Sequence, residues 1–165
     1  MQKTIKTKKG LDIKLIGEAL KSVQPYQTNH YAIIPDNFKW LTPKLLVQEN
    51  EKVLKGQPLF FAKENDKINI TAPVSGTVSQ IVRGEKRKIE YIAIESDQQF
   101  QTIDLTVKIN ENSSEEIVES LLHCGLWPMV RHRPYGIIAN PVQKPKAIFV
   151  SVTDTSPLAP DMAYL

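Results

Sequence analysis

The fold is decided by residues 56–81, which read GQPLFFAKENDKINITAPVSGTVSQI. Short apolar runs around Leu59 and Val78 are separated by a charged stretch and by a phrase that contains Pro73 and Gly76. Apolar runs punctuated by Gly, Pro, Asn and Asp are typical of antiparallel hairpins. Pro73 fixes φ at the entry of the second turn, and Gly76 supplies a conformation that other residues resist. The stretch therefore predicts strand, charged hairpin, strand, tight turn and strand.

Two more strands are predicted on the N-terminal side of this stretch. Leu11, Ile13 and Leu15 alternate with charged residues, which is the two-residue period of a half-buried strand. Residues 31–34 form a second apolar run, and Pro35 stops it because proline cannot donate to a β ladder. We therefore expect a compact, closed β core within residues 1–105.

The pattern changes after residue 105, where a helix is predicted. Ser113 is followed three positions later by Glu116, which makes a capping box, and apolar residues then recur at three- and four-residue spacing until Gly125 ends the helix. Residues 146–153 (KAIFVSVT) are almost continuously apolar, as in a strand buried on both faces of a parallel sheet. A helix followed by such a strand predicts the beginning of an α/β domain over residues 106–165, and the whole chain is then of the α+β class. One such unit cannot cover both faces of its sheet, so we expect the chain to be a piece of a longer protein.

Composition sets limits on function. The chain has 165 residues, of which 41% are hydrophobic and 24% charged, and its net charge is only +3, which is too small and too dispersed to favour nucleic acid. No apolar run approaches the ~20 residues that span a bilayer, and the basic N-terminus lacks the apolar core of a signal peptide. A single cysteine excludes an internal disulfide and an iron–sulfur cluster ligated by this sequence alone.

The phrases GQPL and APVSGTV resemble those of biotinyl and lipoyl carrier domains, which have the barrel-sandwich hybrid fold. The resemblance implies a cofactor-bearing lysine at a hairpin tip, eight residues before the Pro of the Ala-Pro phrase. Counting back from Pro73 gives Asn65, with Lys63 and Lys67 two residues to either side. We therefore expect the carrier fold without the carrier chemistry, with both lysines as solvated hairpin charges.

A longer resemblance covers the chain from about residue 8 to its end. Its phrases follow one another in a single order: residues 9–12, 55–60, 71–78, 83–87, 125–127, 131–135, 146–150 and 154–159. This order resembles the N-terminal part of the A subunits of bacterial Na⁺-translocating NADH:quinone oxidoreductases. The resemblance implies a soluble protein on the cytoplasmic face of the bacterial inner membrane, associated with the quinone-reducing end of the complex. It also implies that the second domain is like the flavin- and NADH-binding subunit of respiratory complex I.

The cofactors implied for that complex are NADH, flavins, an iron–sulfur centre and ubiquinone. The chain itself has no Gly-x-Gly-x-x-Gly turn before a helix, so we expect no cofactor, no metal and no catalytic residue in it. Its partners are then the other subunits, with ubiquinone as a further candidate, and it reaches the membrane only through them. Two alternatives stay open: the C subunit of an Rnf-type electron-transport complex, and a stand-alone biotinyl- or lipoyl-like binding module.

The candidates for contact with a quinone or a partner are Arg131, Arg133, Tyr135 and Asp154. The two arginines flank His132 in a cationic loop beside an aromatic ring, which suits a quinone carbonyl, an anionic lipid or an acidic partner, although ion pairs that brace the two domains would use the same residues. Asp154 follows the predicted buried strand, at the edge where open α/β sheets place ligands, but a turn-forming Asp is also common there.

Other conspicuous side chains are predicted to be structural. His123 and Cys124 are adjacent in sequence and so point to different faces of the helix, which makes a poor metal or catalytic pair. We expect Cys124 to lie in the core, and Trp40 and Trp127 to be packing anchors. Any quinone contact is expected in the α/β domain, because a small sandwich core has no cavity to spare.

Overall fold

The computed structural model describes residues 16–17, 20–106, 113–152 and 159. The predicted strand at residues 11–15 and the candidate Asp154 lie outside this part of the chain. Residues Thr28–Lys144 form one compact unit, and the two ends of the chain, Met1–Gln27 and Pro145–Leu165, are grouped as another. The predicted domain boundary at residue 105 remains a prediction.

Seven strands lie in the described chain before the helix. They are β1 (His30–Ile33), β2 (Pro43–Leu45), β3 (Lys52–Val53), β4 (Pro58–Ala62), β5 (Asn65–Thr71), β6 (Gly76–Arg83) and β7 (Ile89–Ser96). They form a four-stranded sheet in the order β1-β7-β6-β3 and a three-stranded sheet in the order β2-β4-β5, with every pairing antiparallel. The predicted sequence of strand, hairpin, strand, turn and strand over residues 56–81 is confirmed.

Both sheets contribute to one apolar core. Leu59 and Phe60 of β4, Val78 of β6, and Ile92 and Ile94 of β7 are almost completely buried. Burying a side chain of this size stabilises the fold by about 1.5–3 kcal/mol. Across the described residues the two sheets share this core without closing into a barrel, so the predicted closed core is an open two-sheet sandwich instead. The edge strands β2 and β3 are only 3 and 2 residues long, which leaves little backbone for a ladder between the sheets.

The turn before β6 depends on Gly76. Its φ is +156°, and a Cβ built there would overlap the backbone carbonyl oxygen of Glu95 on the neighbouring strand β7. Because backbone cannot move aside as a flexible side chain can, no residue with a side chain fits this position. The predicted role of Gly76 in the turn is thereby confirmed.

The predicted helix is α1, Ser114–His123, with Ser113 as its N-cap. The hydroxyl of Ser113 accepts a hydrogen bond from the backbone N–H of Glu116 at 3.3 Å. At the other end Gly125 has φ +67°, and its N–H and that of Leu126 donate to the carbonyls of Leu122 and Leu121. This pair of bonds is a Schellman motif, which requires the left-handed residue that glycine supplies.

A second, smaller core joins this helix to the β4–β5 hairpin. Leu122 of α1 and Trp127, which lies in the 3₁₀ turn Trp127–Met129, are buried together with Ala62 and Ile68. The chain then forms a short hairpin from β8 (Arg131–His132) and β9 (Ile137–Ile138). Helix α1 therefore rests on the three-stranded sheet.

The predicted buried strand at residues 146–153 is wrong for the residues that can be described, 146–152. They form no strand, and their apolar side chains are exposed, with Phe149 91% accessible and Ile148 78%. A buried strand needs a neighbouring strand to take its backbone hydrogen bonds, and no ladder in the described residues includes this run. An apolar composition indicates that a segment can be buried, but it does not supply the partner strands.

Candidate functional site

The tip of the β4–β5 hairpin corresponds to the place where carrier domains hold their cofactor. Lys63 and Glu64 make the turn, and Asn65 begins β5. The N–H of Lys63 donates to the carbonyl of Thr42 at 2.9 Å, and the N–H of Thr42 donates to the Glu64 carboxylate at 3.2 Å. Hydrogen bonding from Thr42 lowers the pKa of Glu64 below its ordinary value. These two hydrogen bonds thus attach the hairpin tip to Thr42, the residue before β2.

The rest of this hairpin is fastened as well. Ile68 packs in the same cluster as Leu122, and a Cβ at Gly125 would overlap the methyl group of Thr71. Beside these contacts a groove of about 530 Å³ separates β5 from α1. It is lined by Lys67, Asn69, Glu116, Glu119, Ser120, Leu122 and His123. Both candidate lysines of the carrier resemblance are exposed, but each belongs to a hairpin that is held in place along its length.

Three of the four predicted contact residues lie together in the β8–β9 hairpin. Arg131 and Arg133 are exposed, and Tyr135 is 62% accessible. The ring of Tyr135 meets that of His132 edge-on, with centroids 6.0 Å apart. The hairpin thus presents two guanidinium groups and an aromatic ring at its surface, which is the combination that the sequence indicates.

One of these arginines also joins the hairpin to the β sandwich. The guanidinium carbon of Arg131 lies 6.0 Å from the ring centroid of Phe38, within reach of a cation–π interaction. Phe38 in turn meets the core residue Phe60 edge-on, at 6.5 Å and an interplanar angle of 76°. The contact that Arg131 makes with the sandwich is therefore to an aromatic ring, and among the described residues neither Arg131 nor Arg133 forms an ion pair.

The burial of the two tryptophans and of the cysteine was predicted from the sequence with unequal success. Trp127 is a packing anchor as predicted, and its indole N–H donates to the carbonyl of Ala139 at 2.7 Å. Trp40 is not an anchor, because it is 78% exposed and has φ +63°. Cys124 is half-buried at the C-cap of α1 rather than deep in the core.

Trp40 is the surface residue that sequence reasoning missed, whereas Phe38 in the same turn packs against the core as an aromatic anchor. The hydrogen bond from the N–H of Leu41 to the carbonyl of Phe38, 3.2 Å long, closes a turn in which Trp40 is the third residue. A positive φ at this turn position normally selects glycine. The only sequence signal was the turn itself, since nothing local shows whether an aromatic ring in a turn points inward or outward.

The described residues contain no group of three His, Cys, Asp or Glu side chains arranged to hold a metal ion. Within the same residues, no helix has both the length and the apolar character needed to cross a membrane. The predictions of no metal, no cofactor and no catalytic residue remain predictions.

In the described residues a two-sheet antiparallel β sandwich is followed by a helix and a short hairpin, an architecture of the α+β class. Residues 5–97 match the family described as the NqrA N-terminal barrel-sandwich hybrid domain, and residues 112–165 match the NqrA second alpha/beta domain. The chain therefore belongs to the NqrA family.

Curated relatives agree with this assignment. The chain is 38% identical over 161 residues to the A subunit of the Na(+)-translocating NADH-quinone reductase of Yersinia pseudotuberculosis serotype O:1b, an alignment that covers 95% of this chain and 36% of the relative. It is 39% identical over 160 residues to the A subunit of the Na(+)-translocating NADH-quinone reductase of Photorhabdus laumondii, an alignment that covers 94% of this chain and 36% of the relative. The corresponding Haemophilus influenzae protein is 35% identical over 161 residues, with 95% and 36% covered. The chain spans about a third of the length of these relatives.

Proposed function

We propose that the chain is the N-terminal part of the A subunit of a bacterial Na⁺-translocating NADH:ubiquinone oxidoreductase. The observation that carries the proposal is the paired match of both NqrA domains, in chain order, supported by relatives with this subunit name along 95% of the chain. In this setting the chain is a peripheral component on the cytoplasmic face of the inner membrane, held there by other subunits near the quinone-reducing end. The NADH, flavin and iron–sulfur sites then belong to other parts of the complex.

The proposed work of these residues is to hold neighbouring parts of the complex in place. The contacts of the β4–β5 hairpin support this role, because they hold the hairpin along its length rather than at one point. The tip is held through Thr42, the middle through Ile68 and Leu122, and the end through Thr71 and Gly125. A scaffold held at several separate points moves little, and fixed geometry is what positioning requires.

We also propose that any quinone contact made by this chain lies in residues 106–165. The N–H groups of Arg131 and Arg133 can donate to a quinone carbonyl, and Tyr135 offers a ring at the same hairpin. Asp154, which lies outside the described residues, completes the candidate set. In the sandwich, by contrast, the interior is filled by side chains, and the groove of about 660 Å³ along residues 45–49 is open to solvent. Photolabelling of the intact complex by a quinone analogue should map to residues 106–165, and labelling confined to residues 45–95 would contradict this proposal.

Assembly tests the proposed function directly. The chain is expressed with an affinity tag in a host that produces the other subunits of the complex but lacks its own A subunit. We expect the tagged chain to sediment with the membranes and to bring the other subunits down after mild detergent extraction. A chain that stays in the supernatant, with the other subunits present in the membrane, would refute the proposal.

Three further measurements on the purified chain separate the proposal from a carrier module and test the absence of a flavin. The proposal predicts a colourless sample with no NADH oxidation and an intact mass equal to that of the unmodified sequence. A mass increase equal to biotin or lipoate after coexpression with the corresponding ligase, located at Lys63 or Lys67, would favour a carrier module. A yellow sample would contradict the absence of a flavin.

A further inference from the structure

Trp40 adds little to the stability of the fold, because its backbone is strained and its side chain is exposed. It is the third residue of the turn closed by the bond between Leu41 and Phe38, with φ +63°, in the left-handed region that bulky residues avoid. Its side chain is 78% exposed, so it gains little from burial in return for this strain. Glycine or asparagine would adopt the same backbone more easily. A strained, exposed tryptophan is an outlier from which a binding role can be inferred.

The surroundings of Trp40 point in the same direction. Phe38, in the same turn, lies under the guanidinium of Arg131, so this turn and the β8–β9 hairpin are neighbours. We define the Trp40 surface as Lys39, Trp40, Arg131, Arg133 and Tyr135, all of which are exposed. It carries three cationic side chains, and within the described part of the chain none of the three has a carboxylate partner. Tryptophan, tyrosine and arginine are the residues that carry most of the binding energy at protein interfaces.

We propose that the Trp40 surface binds an acidic segment of another polypeptide. A second copy of this chain is disfavoured as the occupant, because the same face on both copies would bring cations together. A membrane is disfavoured because lipid-binding clusters contain about four to eight basic residues, more than this surface offers. Acidic side chains on a partner would pair with the guanidinium groups, while apolar groups beside them would cover the indole. The inference deepens the proposed function and rests on it, since a component of a larger complex is where such a partner would be found.

The inference is tested with a defined probe, a synthetic peptide of repeated Glu-Glu-Phe, on the whole 165-residue chain. Acrylamide quenches exposed indoles, so at low quencher concentration it reports on Trp40, while Trp127 is buried. We expect the peptide to protect Trp40 from quenching, with an affinity that falls as salt is added. A Lys-Lys-Phe peptide of the same length should give no protection.

Single substitutions test whether the peptide binds at the Trp40 surface. Arg133→Ala removes a guanidinium that makes no ion pair within the described residues, and it should weaken peptide binding about tenfold. Trp40→Asn removes the indole that fluoresces, so peptide binding to this variant is measured by calorimetry. It should weaken binding as much as Arg133→Ala does, while its melting temperature stays equal to or above that of the parent. Lys52→Ala is the matched control, because Lys52 is an exposed cation on the edge strand β3, and it should bind like the parent.

The inference is overturned if the acidic peptide fails to protect Trp40, or if Arg133→Ala and Lys52→Ala bind it equally well. It is also overturned if phosphatidylglycerol vesicles protect Trp40 and the peptide does not. These outcomes leave the membrane-assembly test untouched, so a chain that assembles but does not bind the peptide loses only this inference. A chain that binds the peptide and fails to assemble loses the proposed function instead.

Discussion

Replacing Gly125 tests the junction between α1 and the sandwich. Gly125 has φ +67°, and a Cβ there would overlap the methyl group of Thr71 and lie 3.2 Å from its hydroxyl oxygen. Gly125→Ala therefore introduces two separate costs. The left-handed backbone costs a residue with a Cβ about 1–2 kcal/mol, and forcing an extra methyl into a packed contact costs about 1–3 kcal/mol. The expected loss in the free energy of unfolding is about 2–5 kcal/mol, a large share of the about 5–15 kcal/mol typical of a folded domain.

Two companion variants separate these costs. Thr71→Ser removes the methyl group that the new Cβ would overlap, so Gly125→Ala in that background should keep only the backbone cost, about 1–2 kcal/mol. Gly125→Asn does the reverse, because asparagine tolerates a positive φ but still carries a Cβ, and it should keep mainly the overlap cost, about 1–3 kcal/mol.

Urea denaturation measures all of these variants, followed both by tryptophan fluorescence and by β-sheet circular dichroism. The buried Trp127 lies two residues from the substitution and reports on the α1 junction. We expect a negative coupling between the two sites, with Thr71→Ser restoring part of the stability that Gly125→Ala removes. If Gly125→Ala costs less than about 1 kcal/mol, or if Thr71→Ser restores nothing, then α1 does not rest on β5 as the structure shows.

Three further predictions concern single side chains. Ser113→Ala removes the N-cap of α1 and should lower the free energy of unfolding by about 1 kcal/mol in urea denaturation. Ser114→Ala, one residue inside the helix, should change it little, and equal losses would contradict the capping role. Ser75 is completely buried and its hydroxyl donates to the exposed carboxylate of Asp97 at 2.6 Å, so Ser75→Ala should destabilise by about 0.5–1.5 kcal/mol through the loss of this hydrogen bond. The same bond lowers the pKa of Asp97 in the folded state. The ionised Asp97 therefore stabilises the fold above its unfolded-state pKa, and this stabilisation is lost as the pH falls through the lower folded-state pKa. Acid titration of the parent should show this loss of stability, and the Ser75→Ala variant should show a smaller one. Trp127→Phe removes the indole donor of a 2.7 Å bond, and thermal denaturation should show a loss of about 1 kcal/mol, whereas an unchanged melting temperature would mean that this bond contributes nothing.

The parts of the fold that the sequence predicted are those fixed by neighbouring residues. The hairpin and turn of residues 56–81, the N-cap at Ser113 and the helix end at Gly125 each depend on a few adjacent side chains. Burial was harder to predict. Leu59 and Phe60 are both buried although they are consecutive, because the pairing of β4 with β5 shifts register between Pro58 and Phe60.

The candidate site likewise combines features that neighbouring residues fix with features that depend on distant parts of the chain. Arg131, Arg133 and Tyr135 share one hairpin because they are close in sequence, so their grouping was predictable. The contact of Arg131 with Phe38 joins distant parts of the chain, and no local pattern indicates it. The exposure of Trp40 and of residues 146–152 was missed for a related reason, since hydrophobicity shows which side chains favour burial and not whether a neighbour is present to bury them.

The contacts of the β4–β5 hairpin support the proposed role as a scaffold rather than as a carrier. A carrier must present its cofactor to an active site, so the lysine at its tip must stay free of contacts with the rest of the protein. Here the tip is bonded to Thr42, the middle of β5 packs on α1, and Thr71 at the end of β5 faces Gly125. A lysine placed at Asn65 would therefore still belong to a hairpin held along its length. Two of these three contacts, those at Ile68 and Thr71, also attach α1, so the packing of α1 itself restrains the hairpin.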